Sequence, residues 1–242
     1  MKNNEYYDMH CHFLPGMDDG CRTAEESVSV LLTSKEQGID KICATPHYYP
    51  EETVDHFLKR RDHSYKMLLE KMGETGERFP EICLGAEVAF YTGISFEEKL
   101  NRLCYGSSHY MLLEMPFSPW TPGVLREVRS IYSISGITPV IAHLERYLKI
   151  AGKEALEELM SMHVMVQMNA EFAENFWNRK KARRMLESGM VQIMGSDSHN
   201  MTRRPPNLGT FFQYMETHNM EHIVEEISRM SKRIFKEAQT QE

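Results

Sequence analysis

The stretch YYDMHCH, residues 6–12, begins with an apolar run and ends in two histidines separated by one residue. The same pattern, a short apolar run followed by a histidine or a carboxylate, recurs along the chain. We interpret each apolar run as a strand that ends near a polar residue. The strands and the polar residues that follow them are Ile39–Ala44 with His47, Ile82–Leu84 with Glu87, Met111–Leu113 with Glu114, Thr138–Ala142 with His143, and Val191–Met194 with Asp197 and His199. Metal-type ligands at the same end of successive strands predict the mouth of an α/β barrel.

Helical segments separate these strands. The pattern predicts helices over 24–37, 53–72, 96–103, 122–135, 153–162 and 177–188, and a helical tail over 205–242. The first helix follows a capping box at Thr23–Glu26, and Pro122 stands in the first turn of another. A further strand at Val164–Asn169 brings the count to seven, one fewer than in the common eight-stranded barrel. No repeat or linker divides the chain, so we expect a single domain over 1–242.

Composition limits the classes of function. The 242 residues carry a net charge of -7, which argues against a general nucleic-acid or anionic-membrane binder, because such proteins normally present a basic face. No apolar stretch approaches the roughly 20 residues that a bilayer crossing requires. The first residues are polar rather than signal-like, so we expect a cytoplasmic protein without membrane insertion.

Spacing also indicates chemistry. His10 and His12 lie two residues apart, so on a strand both imidazoles face the same side and form a clamp for a divalent ion. Asp197 and His199 repeat that spacing. Crowded carboxylates and imidazoles disturb each other's protonation unless cations lie between them, so the sequence predicts a polynuclear metal centre. The remaining histidines do not follow predicted strands, and we interpret them as surface or structural residues. They are His56, His63, His109, His163, His218 and His222.

The five cysteines are odd in number and far apart, and none belongs to a C-x-x-C motif: Cys11, Cys21, Cys43, Cys83 and Cys104. We expect free thiols rather than a disulfide framework or a zinc knuckle. Strand alternation should point Cys11 away from its two neighbouring histidines.

Several motifs resemble one known family. They are His10-x-His12, Asp18-Asp19-Gly20, Thr45-Pro46-His47, Gly85-Ala86-Glu87, Glu114, Ala142-His143-x-Glu145-Arg146-Tyr147, Ser196-Asp197-x-His199-Asn200 and Arg204-Pro205-Pro206. In this order and spacing, over about residues 6–210, they resemble the PHP (polymerase and histidinol phosphatase) superfamily. More narrowly, they are similar to its bacterial manganese-dependent protein-tyrosine phosphatases of capsule and exopolysaccharide operons.

The resemblance implies a distorted (β/α)7 TIM-like barrel with three divalent metal ions, manganese being favoured over iron or zinc. By matching motif, the implied ligands are His10, His12, Glu87 and Asp197 for the first ion, Glu87, Glu114 and His143 for the second, and Asp19, His47 and His199 for the third. Asp18 is expected to cap or turn the loop. The implied reaction is attack of a metal-bridging hydroxide on a phosphoryl group, without a phosphoenzyme.

Two arginines are expected to bind the phosphate, namely Arg146 and, by the match to R-P-P, Arg204 rather than Arg203. Tyr147 and Asn169 are candidates for the wall of the site. Three aromatic residues in loops beyond strand ends either line a slot or roof the barrel, and these are Tyr48, Phe117 and Trp120.

The substrate implied by the resemblance is a phosphotyrosine protein, a bacterial tyrosine kinase with a tyrosine-rich tail. A small-molecule phosphoesterase of the histidinol-phosphatase type and a non-catalytic PHP interaction module are the alternatives. A cysteine-dependent tyrosine phosphatase is excluded, because such enzymes need C-x5-R and no arginine lies six residues after any cysteine. Oligomeric state and peptide preference are not readable from the sequence.

Overall fold

The computed structural model describes residues 5–240, in which parallel strands alternate with helices. The strands are β1 (Tyr6–Cys11), β2 (Ile39–Ala44), β3 (His47–Tyr48), β4 (Glu81–Leu84), β5 (Glu87–Ala89), β6 (Tyr110–Glu114), β7 (Thr138–Ile141), β8 (Met165–Asn169) and β9 (Ile193–Gly195). The α-helices are α1 (Ala24–Glu36), α2 (Val54–Thr75), α3 (Pro122–Ser135), α4 (Lys153–Met160), α5 (Ala170–Glu174), α6 (Arg179–Glu187), α7 (Leu208–Thr217) and α8 (Glu221–Gln239). None of the helices within residues 5–240 has both the length and the apolar character needed to cross a bilayer.

The strands form two parallel sheets, in the orders β1-β2-β4 and β3-β5-β6-β7-β8-β9. The first and last strands also meet, because the amide of His12 donates to the carbonyl of Ser198 and that of Asp197 to the carbonyl of His10, both at 2.8 Å. The predicted parallel α/β fold is therefore confirmed as a strongly curved sheet. The predicted count of seven strands is not confirmed, because the described residues contain nine strand segments.

Two strands are interrupted where ligand loops begin. Thr45-Pro46 separates β2 from β3, and Gly85-Ala86 separates β4 from β5. Proline has no amide hydrogen to donate to a sheet, which accounts for the break at Pro46. The pairing of β3 with β5 continues that of β2 with β4, whereas β5 gains a new neighbour in β6.

Local sequence signals explain the helix boundaries. Thr23, Thr53 and Thr121 each accept a hydrogen bond from an amide in the first turn of their helix. The helix predicted over 122–135 has these bounds, with Gly136 in the left-handed conformation after it. The helix predicted over 96–103 is wrong, because this segment forms only short 3₁₀ turns (Ile94–Phe96 and Leu100–Leu103).

Alternation along β1 divides the core in two. Tyr6 packs in the large cluster between the sheet and the surrounding helices, whereas Tyr7 and Met9 belong to a smaller cluster. This smaller cluster also contains Ile234 and Phe235 of α8, and the rings of Tyr7 and Phe235 lie 5.8 Å apart. The C-terminal helix therefore helps to fill the amino-terminal side of the sheet, and the polar residues at the carboxyl ends of the strands rest on an apolar floor.

Candidate metal centre

The nine predicted metal ligands lie together at the carboxyl ends of the strands. Three groups have donor atoms within 4.8 Å of one another: His12, Asp19, His47 and His199; His10, His12 and Asp197; His47, Glu87 and Glu114. His143 joins them through its Nε2 atom, 2.8 Å from Glu87 Oε1 and 3.7 Å from Glu114 Oε1. His10 is fully buried and Asp19 is 67% exposed, so the cluster runs from the interior to the surface.

The distances at the centre of the cluster suit shared coordination. His10 Nε2 and His12 Nε2 are 3.0 Å apart, and each lies 3.1 Å from Glu87 Oε2. Two donors that bind one cation at right angles, with bonds of about 2.1 Å, are separated by about 3.0 Å. Within residues 5–240, His47 Nδ1 and His199 Nε2 are buried without a hydrogen-bond partner. A cation would satisfy these nitrogen atoms, so the residues present fit a metal centre.

The grouping of donors differs in one respect from the set implied by sequence. His12 lies near the Asp19 and His199 group as well as near His10, and the rings of His12 and His199 stack with centroids 4.0 Å apart. His47 likewise faces both Asp19, at 3.6 Å, and Glu87, at 3.2 Å. The three donor groups are therefore contiguous and share residues.

Protonation in the cluster is strongly disturbed when no cation is present. Burial and the neighbouring Glu87 carboxylate raise the pKa of Glu114 to about 7. Burial and the adjacent His12 lower the pKa of His199 to about 4. The Glu114 carboxyl group therefore tends to keep its proton, and the His199 imidazole tends to lose its proton. Both groups are then uncharged. Bound cations would favour the ionised carboxylate and the neutral imidazole that coordinate metals.

Asp18 caps the loop, as predicted, and also hydrogen-bonds to one of the predicted metal ligands. Its Oδ1 atom accepts the amide of Gly20 at 2.9 Å, as a loop-capping residue does. Its Oδ2 atom accepts from His12 Nδ1 at 2.8 Å and from the amide of His47 at 2.9 Å. Burial raises the pKa of Asp18, but the positive charge and hydrogen bond of His12 outweigh it, so the pKa lies well below its ordinary value. Asp18 therefore orients His12 from behind.

Both predicted arginines reach the cluster. Arg146 donates to Asp197 Oδ2, and Arg204 Nη2 forms an ion pair with the same oxygen at 2.7 Å. Arg204 also lies 4.0 Å from Asp19 Oδ2, at the exposed edge. Arg203 is exposed, and its amide donates to Asn200 Oδ1 at 2.7 Å. The geometry therefore favours Arg204 over Arg203 as the second arginine of the site.

Two ligand residues have strained backbones. His143 and Asp197 have φ angles of 32° and 52°, in the left-handed region that residues other than glycine seldom occupy. The amide of His143 donates to Gln167 Oε1 at 2.7 Å, and that of Asp197 to the carbonyl of His10 at 2.8 Å. Such strain persists where surrounding contacts fix the backbone, and it is concentrated at functional sites.

Two supporting residues, Gln167 and Asp8, were not among the predicted residues of the site. Gln167 Oε1 lies 3.2 Å from His10 Nδ1, and its Nε2 atom donates to Asn169 Oδ1 at 2.8 Å. Asp8 Oδ1 accepts the amides of Ser196, at 2.9 Å, and His10, at 3.2 Å. Both lie two residues from a residue of the site on the same strand, so period-two alternation is the signal that identifies them.

Asn169, a predicted wall residue, donates to Asp197 Oδ2 at 2.8 Å and so lies at the site. Tyr147 is buried, with its ring 5.7 Å from that of His143. Of the three aromatic candidates, Tyr48 and Trp120 are buried in the core, and only Phe117 exposes most of its ring, which packs on Tyr147 at 5.2 Å.

The cysteines and the remaining histidines lie outside the metal groups found among residues 5–240. All five cysteines are buried and free. Cys11 Sγ lies 3.5 Å from the carbonyl of Ser198, and burial raises the pKa of this thiol well above its ordinary value. A thiol of this kind is a poor nucleophile. Some of the other histidines contact surface carboxylates. His56 Nδ1 lies 2.7 Å from Glu52 Oε2, and His109 Nδ1 lies 3.0 Å from Glu237 Oε2.

Comparison with known proteins gives a consistent result. A family model described as capsular polysaccharide synthesis, CpsB/CapC, matches residues 6–235. The tyrosine-protein phosphatase CpsB of Streptococcus pneumoniae is 31% identical, over 82% of this chain and 85% of its own. The tyrosine-protein phosphatase YwqE of Bacillus subtilis is 28% identical, over 90% of this chain and 91% of its own.

Solved structures support the fold. A chain from the crystal structures of YwqE and CpsB, described as unique metal-dependent tyrosine phosphatases, superposes with a TM-score of 0.77 at 22% identity, covering 97% of this chain and 95% of its own. A D-hydantoinase from a Thermus species gives a TM-score of 0.54 at 11% identity, over 96% of this chain and 70% of its own. At these identities the comparisons establish the fold alone.

Proposed function

This chain belongs to the capsular polysaccharide synthesis CpsB/CapC family, and we propose on that premise that it is a metal-dependent protein-tyrosine phosphatase. The observation that carries the proposal is the convergence of metal-type ligands and two arginines at one carboxylate, Asp197. Phosphate monoesters carry two negative charges, and this combination of cations and guanidinium groups suits them.

We assign three divalent ions to the site. The ligands would be His10, His12, Glu87 and Asp197 for the first, Glu87, Glu114 and His143 for the second, and Asp19, His47 and His199 for the third. The position of Glu87 supports a bridging role, because its Oε2 atom faces His10 and His12 while its Oε1 atom faces His143. Oxygen and imidazole donors suit manganese, with iron and zinc as alternatives.

Asp197 connects the ligands to the arginines. Its Oδ1 atom lies 3.5 Å from both His10 Nε2 and His12 Nε2, whereas its Oδ2 atom accepts from Arg146 and forms an ion pair with Arg204. The two guanidinium groups are therefore fixed beside the cluster, each about one-third exposed, and are positioned to bind the oxygen atoms of a phosphate that enters from solvent.

Divalent ions held by these residues would lower the pKa of bound water toward neutrality and so supply a nucleophile. Arg146 and Arg204 would neutralise the charge that develops on the phosphoryl oxygens. The leaving phenolate has a parent pKa of about 10, so a dedicated general acid is less needed than for an alkyl ester. The cysteine thiols take no part, because all five are buried.

Finer features of the fold belong to the same proposal. If β2 with β3, and β4 with β5, each count as one interrupted strand, the segments occupy seven positions of a distorted (β/α)7 barrel. We assign residues 1–242 to one domain and the protein to the cytoplasm. The proposed substrate is a phosphotyrosine protein, a bacterial tyrosine kinase of capsule or exopolysaccharide synthesis. The family description and the names of the relatives support this choice.

A paired assay tests the proposal. Phosphate release is measured from a phosphotyrosine peptide and from histidinol phosphate, with added manganese and with a chelator. We expect manganese-dependent release from the peptide, and its loss in the His143→Ala variant while the circular dichroism spectrum is retained. Release mainly from histidinol phosphate would assign the enzyme to small-molecule metabolism. Turnover that survives both the chelator and the substitution would contradict metal-dependent catalysis.

A further inference from the structure

Helix α6 carries a dense group of positive charge on an acidic protein. Five of the six residues at 179–184 are basic, whereas the whole chain has a net charge of -7. All five basic side chains are exposed: Arg179, Lys180, Lys181, Arg183 and Arg184. Arg183 pairs with Glu187 at 2.6 Å, but within the described part of the chain no carboxylate lies within 4.0 Å of Lys180, Lys181 or Arg184. The helix therefore presents a local basic face that the net charge conceals.

A cavity adjoins this basic face. It lies between α6 and α7 and has a volume of about 420 Å³. Leu186, Phe211 and Tyr214 contribute apolar lining, and Arg179, Lys180 and Arg183 contribute positive charge. The guanidinium group of Arg179 lies over the ring of Tyr214, 5.3 Å from its centroid. The combination offers an apolar recess for a side chain, bordered by cations.

Two aromatic residues precede the basic run. Phe176 is 74% exposed and Trp177 is 87% exposed, and their rings meet edge to face with centroids 5.5 Å apart. They lie in the loop between α5 and α6, which follows the carboxyl end of β8. Asn169, the last residue of β8, lies at the site, and the short helix α5 separates it in sequence from this loop.

Hydrogen bonds connect this surface with the segment that follows Arg204. Asn207 Nδ2 donates to Glu174 Oε2 at 2.7 Å, and Arg179 Nε donates to the carbonyl of Glu174 at 3.2 Å. Asn207 follows Arg204 by three residues, a span of at most about 11 Å along the chain. The loop that carries Arg204 is therefore tied through Asn207 and Glu174 to Arg179, which lines the cavity.

We propose that the surface formed by Phe176, Trp177, helix α6 and the cavity beside it docks an acidic segment of the protein substrate, close in sequence to the phosphotyrosine. This inference rests on the proposed phosphatase function and adds the class of sequence that the enzyme prefers. Charge complementarity selects acidic residues, and the apolar recess between the cations accepts a side chain of an extended peptide. A concave recess suits a peptide better than the flat surface of a lipid bilayer.

The kinetic test compares two phosphotyrosine peptides that differ only in their flanking residues, acidic in one and neutral in the other. The Lys180→Glu/Arg183→Glu variant reverses two charges at the cavity. The matched control, Lys59→Glu/Lys66→Glu, makes the same change in charge on α2. We expect the cavity variant to lower kcat/KM for the acidic peptide about tenfold and to leave kcat/KM for a small aryl phosphate within about twofold of wild type. The control variant should change kcat/KM for neither substrate. Equal losses with both peptides, or with the aryl phosphate, would overturn the docking role.

A binding measurement separates docking from catalysis. The chain has two tryptophans, and Trp120 is 5% exposed whereas Trp177 is 87% exposed, so changes in emission on binding report mainly on Trp177. We expect an unphosphorylated acidic peptide to shift the emission of the wild-type protein but not that of Lys180→Glu/Arg183→Glu. This result supports docking even if the paired assay rejects phosphotyrosine as substrate. A shift with vesicles rich in anionic lipid and none with the peptide would assign the surface to membranes instead and overturn the proposal.

Discussion

Asp18 Oδ2 lies 2.8 Å from Nδ1 of His12, on the opposite side of the imidazole from Nε2, which lies 3.1 Å from Glu87. The carboxylate therefore fixes both the orientation of the ring and the tautomer that leaves Nε2 free to bind a cation. Hydrogen bonds of this type to metal-binding histidines raise the basicity of the ligand.

We predict that Asp18→Asn weakens metal affinity about 10- to 100-fold without unfolding the protein, since the amide lacks the negative charge that faces His12. Titration of the chelator-treated protein with manganese measures the affinity, and Asp62→Asn, an exposed change on α2, is the control. Unchanged affinity would mean that Asp18 serves only the turn at Gly20.

The two neighbouring arginines provide a second test. Arg204→Ala should lower kcat about 10²- to 10³-fold while bound metal stays constant, because it removes a donor beside Asp197 that would face the transferring phosphoryl group. Arg203→Ala should stay within about twofold, since Arg203 is exposed. Steady-state kinetics together with metal analysis decide the matter. Loss of metal from Arg204→Ala would indicate a structural role for this arginine instead.

Glu145 makes stability depend on pH. Burial raises the pKa of Glu145 from 4.5 to about 7, so between these values the folded protein keeps a proton that the unfolded chain releases. The free energy of unfolding contributed by this group is therefore highest below pH 4.5 and falls as the pH rises toward 7. We expect Glu145→Gln to remove this decline, and urea unfolding of chelator-treated protein at pH 5 and pH 8 measures it. Parallel losses of stability in both proteins would reject the assignment.

Gly195 lies at the tightest approach between β9 and β1. A Cβ atom at this position would lie 2.4 Å from His10 Cβ and 2.9 Å from His10 N. Gly195→Ala should therefore displace His10, destabilise the fold by about 1–3 kcal/mol and reduce bound metal. Gly73→Ala meets no atom within 4 Å and should stabilise α2 by about 0.5–1 kcal/mol. Chemical denaturation compares the two variants, and equal stability would contradict the packing argument.

The sequence predicted those features of the fold and site that depend on periodicity. Strand alternation and the residues after each apolar run identified the ligands that the structure brings together. Contacts between distant segments were not predictable in this way: the hydrogen bonds of Asp18 to His12 and His47 depend on the path of a loop. Alternation places Gln167 on the same face of β8 as Asn169, but its hydrogen bond to the amide of His143 requires β8 to lie beside β7, which no local pattern specifies. The short helix α5 was also missed, since five residues are too few to show a helical repeat.

Helix α8 has a consequence for the biosynthesis of this protein. Phe235 packs near Tyr7, so β1 depends on a partner that lies far along the chain and is synthesised much later. Until α8 leaves the ribosome, the cluster that includes Met9, Cys43 and Cys83 lacks its cover. Contacts between such distant segments are slow to form, because the intervening chain must be ordered first. The thiols of Cys43 and Cys83 therefore share the cover of α8 only after this long-range contact has formed.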